Sequence, residues 1–182
     1  MSTTPELLAL QDLCTRLETA GVRYMLTGSF ALAYYATPRM TRDIDLVVEL
    51  EAAAANDLAR VLGADYYVDA TAIAESFSHA HPCNVLHLAT VVKIDLIPRK
   101  ATEYRRIEFE RRRRVNFAGV DLWIVSPEDL ILSKLDWARD SCSEVQLRDV
   151  RHLLAGPLDR EYSHEWATRL GLAKLLENLH HD

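Results

Sequence analysis

Two aspartates inside an apolar run raise the first chemical question. In "TGSFALAYYATPRMTRDIDLVV", residues 27–48, Asp43 and Asp45 alternate with apolar residues ahead of Leu46, Val47 and Val48. Strand side chains point to alternate faces, so this spacing predicts both carboxylates on one face of an interior strand. Two such groups repel each other and resist desolvation, which calls for a cation between them. Arg39 and Arg42 are close in sequence and are one source. A divalent metal is the other, because hard oxygen ligands together with a bound phosphate suit Mg²⁺.

Asp95 favours the metal. In "VVKIDLIP" it is again a single acid in an apolar strand, with Lys93 two residues earlier on the same face. Two acids that hold a metal against a triphosphate, and a third where an attacking hydroxyl loses its proton, are the parts needed for phosphoryl or nucleotidyl transfer. Gly28-Ser29 supplies an anion cradle. A strand, then Gly-Ser, then a helix leaves backbone N–H groups and the positive end of the helix dipole facing a phosphate.

These residues need elements to hold them. "TPELLALQDLCTRLETAG" carries Leu7, Leu10, Leu13, Cys14 and Leu17 at helical spacing, with Thr4 and Pro5 at its start. Strands are predicted at "VRYMLTG", "DIDLVVEL", "DYYV", "NVLHLA" and "VVKIDLIP", and a hairpin at "RVNFAGVDLWIVS" turns near Gly119. Helices are predicted at "SFALAYYA", "EAAAANDLARVLG", "ATAIAESF" and from Glu103 to about Arg112. After Ser126, an N-cap followed by Pro127, Glu128 and Asp129, the pattern is helical to the end. The expectation is an α+β fold: a mixed sheet flanked by helices over residues 1–126, followed by a helical C-terminal segment over residues 127–182.

Composition sets limits. The 182 residues are 49% hydrophobic and 26% charged, an ordinary globular balance. Three scattered cysteines, with no basic N-terminal region and no membrane-length apolar run, point to the cytoplasm and to no membrane role. A net charge of −6 gives no general attraction to nucleic acid, yet "RRIEFERRRR" holds six arginines. They form either a basic patch or a solvated helix face paired with Glu108 and Glu110.

Residues 27–48 together with Asp95 resemble the DNA polymerase β-type nucleotidyltransferase superfamily, with its Gly-Ser helix start, Asp-x-Asp strand and third strand acid. "RMTRDIDLVV" and "SPEDLILSKLDWARD…QLRDVRHLL" resemble, more narrowly, the AbiEii-like nucleotidyltransferases, which include toxins of toxin–antitoxin pairs. The resemblance implies a nucleotidyltransferase-like sheet and NMP transfer from an NTP to a hydroxyl. Asp43, Asp45 and Asp95 would be the catalytic, metal-binding acids for Mg²⁺, and Gly28 and Ser29 would hold the triphosphate. Lys134 would contact phosphate and Asp149 would lie near the site. It also implies a tRNA or other RNA acceptor, contacted by the arginines of residues 105–114, and a partner antitoxin.

Other readings stand beside this one. A small-molecule acceptor, such as an aminoglycoside, suits the acidic net charge. A non-catalytic nucleotide- or RNA-binding module would use the acids structurally. Arg39 and Arg42 could neutralise triphosphate charge or pair with Asp43 and Asp45. Lys134, beside Leu130, Ile131 and Trp137, could instead snorkel. Asp149 pairs most simply within or between helices. Tyr34 or Tyr35 could stack on a base while the other packs. His79, His81, Cys83 and His87 lack a second pair at zinc spacing and suggest surface histidines on a loop.

Overall fold

The computed structural model of the chain describes residues 4–36, 43–141 and 143–179. Arg39 and Arg42 lie outside them. Helix α1 (Pro5–Thr19) starts where Thr4 caps Leu7 N–H. Then follow β1 (Arg23–Thr27), α2 (Gly28–Tyr35), β2 (Ile44–Glu49), α3 (Ala55–Leu62), β3 (Tyr66–Tyr67), α4 (Ala70–Ser78), β4 (Cys83–His87) and β5 (Val92–Pro98). Helix α5 (Glu103–Glu110) precedes the hairpin of β6 (Arg113–Phe117) and β7 (Val120–Ile124). Helices α6 (Pro127–Ser141), α7 (Glu144–Leu154), α8 (Arg160–Arg169) and α9 (Ala173–Asn178) complete the described chain.

The strands form one mixed sheet in the order β3-β4-β5-β2-β1-β7-β6. β2 lies at its middle, antiparallel to β1 and parallel to β5. Both β2 and β5 alternate between buried and half-buried residues, as period-2 strands with one closed face must. Ile44, Leu46 and Val48 join Val92, Ile94 and Leu96 in the core, with Leu10, Leu13 and Leu17 of α1. The other face carries Asp45, Val47, Asp95 and Ile97, and is the one left for chemistry.

The hairpin turns through Ala118 and Gly119, both at positive φ, the two-residue geometry that suits strand twist. Ser126 begins α6 by accepting Asp129 N–H at 3.1 Å. Asp129 does more than face the dipole: its buried carboxylate accepts from Ser126 Oγ, Tyr162 OH and Arg111 Nε at 2.6, 2.7 and 3.1 Å. Glu128 takes the Asp159 N–H at 3.1 Å and Arg113 at 3.3 Å. These two acids bolt α8 and the start of the hairpin to α6. No helix among the described residues is long and apolar enough to cross a membrane.

Candidate functional site

Register brings the acids together. Asp45 stands opposite Asp95 on β5 and opposite Thr27 on β1, and Asp95 stands opposite Asn84 on β4. One polar row therefore runs Asn84–Asp95–Asp45–Thr27 across four strands. Gly28 ends it. Its φ of +66° disfavours any L side chain, and a Cβ there would overlap the Asp45 carboxylate. The turn into α2 thus lies directly against Asp45. Thr27 makes no side-chain cap on α2, and Ser29 is buried beside the turn.

Asp43 departs from expectation. The strand begins at Ile44, so Asp43 is an exposed residue just ahead of it, and not a strand neighbour of Asp45. Its charge still acts on the site: burial, then Asp95, then Asp43 push the Asp45 carboxyl up to about 6. Among the described residues, no three His, Cys, Asp or Glu side chains gather as a ready metal cluster. The structure pairs Asp45 with Asp95 across the sheet, and Asp43 lies just ahead of the strand.

Asp95 has a partner of its own. Lys93 Nζ lies 3.0 Å from Oδ1 and 3.1 Å from Oδ2. The second contact has hydrogen-bond geometry, whereas Oδ1 is buried with no hydrogen bond. A buried carboxylate oxygen lacking a hydrogen bond, beside a second carboxylate disfavoured as an anion, is an oxygen-only donor set. Those residues fit a hard divalent cation.

A cavity of about 410 Å³ opens at the Asp45–Thr27 end of this row, beside the Gly28 turn. One side is the sheet, with Asp45, Val47 and Ile97; the other is a stripe of α6, with Leu130, Ser133, Lys134 and Trp137. Those four stand at i, i+3, i+4 and i+7, the spacing of one helix face. The same spacing marks Trp137 in the sequence, where it escaped notice as a lining residue. Trp137 is 65% exposed and forms part of the cavity wall. Tyr34 and Tyr35 do not line it: Tyr35 OH donates to Val125 O at 2.7 Å, and Tyr34 packs edge-on to Tyr35 and Phe117.

Lys134 does not snorkel. It is buried at the cavity wall, donating to Asp149 Oδ2 at 2.8 Å and Gln146 Oε1 at 3.0 Å on α7. Its charge partly offsets the rise at Asp45. Asp149, 1% exposed, therefore pairs with Lys134 across two helices. Lys134→Met should lower stability by roughly 3 kcal/mol, because it removes the cation from a buried carboxylate. Chemical denaturation measures this, and Lys134→Met with Asp149→Leu should recover most of the loss.

Glu108 does pair within its helix, but in place of a solvated face it is buried in the cavity wall, where burial pushes its carboxyl up. Arg105 holds both its oxygens at 2.9 and 3.0 Å, and Ser133 Oγ donates at 2.6 Å. The neighbouring arginines are also engaged. Arg111 reaches Asp129 and lies over the Tyr162 ring, Arg113 pairs with Glu128, and Arg114 pairs with Glu18. Arg112 lies over the Phe109 and Trp123 rings and donates to Phe109 O. His87 is not on a surface loop: it is buried in β4, 2.7 Å from Thr90 Oγ1 and against Tyr66.

No family model matches the sequence, and no curated protein matches it. Solved structures do match. The solution structure of the antibiotic-resistance factor ANT(2'')-Ia is similar at 14% identity over 100% of both chains, with a TM-score of 0.60. An antigenic nucleotidyltransferase-like protein from Paracoccidioides brasiliensis matches at 16% identity over 97% of this chain and 93% of its own, with a TM-score of 0.59. The lincosamide antibiotic adenylyltransferase LnuA, with lincomycin bound, matches at 17% over 81% of this chain and 94% of its own, with a TM-score of 0.51. The shared feature is the fold: the mixed sheet with its flanking helices is nucleotidyltransferase-like.

Proposed function

We propose that this protein transfers a nucleoside monophosphate from an NTP to a hydroxyl of a small acceptor. The observation that carries this is the adjacency of Asp45 and Asp95, in one row across the sheet, to the Gly28 turn. The triphosphate lies on the Gly28-Ser29 turn at the start of α2, where backbone N–H groups and the helix dipole favour anions. Lys134 faces it from α6. Arg39 and Arg42, which precede Asp43 in the sequence, would serve to neutralise triphosphate charge. Asp45 and Asp95, with Asp43 just ahead of the strand, would hold Mg²⁺, which when bound would offset charge on the phosphates and ease ionisation of the acceptor hydroxyl. The acceptor oxygen forms a bond to the α-phosphorus, the α–β bridging P–O bond breaks, and pyrophosphate leaves. Asp95 takes the hydroxyl proton.

The cavity supports a small acceptor. Its volume lies within the range of about 300–1,000 Å³ that is usual for small-molecule sites. Its walls include Val47, Ile97, Pro98, Leu130 and Trp137. Its lining acids are Asp45 and Glu108, and its lining cations are Arg99, Lys100, Arg105 and Lys134, of which Arg105 already pairs with Glu108 and Lys134 with Asp149. The apolar part of the wall suits a hydroxyl compound with an apolar face. The resemblance to AbiEii-like toxins adds an RNA acceptor and an antitoxin. Against that, Arg105, Arg111, Arg113 and Arg114 already serve internal carboxylates. That LnuA was seen with lincomycin supports the small-acceptor reading. The segment 127–182 then acts as the acceptor-side wall of the 1–126 core, and both work in the cytoplasm, where NTPs are supplied.

Incubation with NTP labelled at the α- or γ-phosphate, Mg²⁺ and pooled acceptors tests this. Label from the α position alone should reach a small acceptor, and Asp45→Asn should abolish it. Label on RNA, with growth arrest on expression, would support the toxin reading. Equal transfer by Asp45→Asn would remove this site from the chemistry.

A further inference from the structure

The proposed chemistry needs Asp95 to serve a divalent cation, yet its carboxylate is already straddled by Lys93. We infer that Lys93 is a resident counter-ion for Asp95, a clip that the free protein keeps closed and that must open before a divalent cation takes the carboxylate. The inference rests on the nucleotidyltransferase reading of the same acids.

Geometry carries it. Lys93 and Asp95 are two residues apart on β5 and so share a face. The ammonium lies 3.0 and 3.1 Å from the two oxygens, the space a metal bound to that carboxylate would need. Asp43 and Asp45 add to the negative field at Lys93. Its side chain is 43% exposed, and a four-carbon stem with three rotatable donors can turn to another anion without breaking the core. A triphosphate on the neighbouring Gly28 turn offers that anion. Nucleotide binding would then release Asp95, and divalent affinity and nucleotide affinity would rise together, as linkage requires. Lys93 is accordingly a positioning residue: it acts through Asp95.

Manganese binding without nucleotide tests the clip, read by electron paramagnetic resonance of free Mn²⁺. Lys93→Met should bind Mn²⁺ about tenfold more tightly than wild type, and Lys93→Arg should not. Lys100→Met, which removes a cation of the nearby cavity wall, should change affinity by less than twofold and so separates the clip from general charge. Circular dichroism confirms that the variants fold. Unchanged or weaker binding by folded Lys93→Met overturns the clip alone, provided that wild-type binding is lost in Asp45→Asn with Asp95→Asn. Absence of Mn²⁺ binding by every variant overturns both the clip and the divalent reading.

Discussion

Asp45→Asn should make the free protein more stable at pH 8 while it destroys NMP transfer. The folded carboxyl of Asp45 titrates at about 6, raised first by burial and then by Asp95 and Asp43. The folded state therefore holds this proton more tightly than the unfolded chain does. Its contribution to stability is present below the unfolded value near 4 and is lost as pH rises through about 6. At pH 8 the ionised group costs the native state about 3 kcal/mol, which for a chain of this size is roughly 8 °C in Tm. Asparagine cannot ionise, and its amide can donate to Asp95. The gain should appear in EDTA at pH 8, shrink through pH 6 and vanish near pH 4. Differential scanning fluorimetry across that series measures it. A variant less stable than wild type at pH 8 would mean that Asp45 is not a strained carboxylate.

Gly28→Ala should produce the largest loss from one methyl group. A non-glycine residue at φ near +66° is strained by about 1 kcal/mol. The added Cβ also meets the Asp45 carboxylate, which must move or force the turn apart. The sum is roughly 3 kcal/mol or more, or about 8 °C in Tm. Nucleotide binding should fail with it, since the same displacement spoils the anion cradle. Gly21→Ala is the control: φ is +69°, nothing lies within 4 Å, and only the strain of about 1 kcal/mol remains. Combining Gly28→Ala with Asp45→Ala should recover the overlap part of the loss and leave the strain. Equal costs for Gly21→Ala and Gly28→Ala would show that the turn does not touch Asp45.

The two acids of the site were legible as single carboxylates in apolar strands, and Gly28-Ser29 as a turn into a helix. Periodicity reports such local facts directly. Their placement in one row was not legible, because it depends on β5 pairing in parallel with β2 while β3 and β4 lie outside it. Asp43 was assigned to the strand because alternation alone does not say at which residue hydrogen bonding starts. The arginine run left two readings open for a similar reason. Its partners Glu18, Glu128 and Asp129 come from other elements, so a stretch that looks like a basic patch is largely an internal brace. Lys134 was recognisable by resemblance, whereas its burial against Asp149 follows from α6 packing on α7. Trp137 needed only the seven-residue spacing of one helix face.

The most direct test is calorimetric binding of a non-hydrolysable NTP analogue, with and without Mg²⁺, to wild type and to Asp45→Asn with Asp95→Asn. Binding by wild type should depend on Mg²⁺ and fall at least tenfold in the double variant, with the fold retained. Tight binding that ignores both Mg²⁺ and the two carboxylates would contradict the account and leave the fold as a metal-independent binding module.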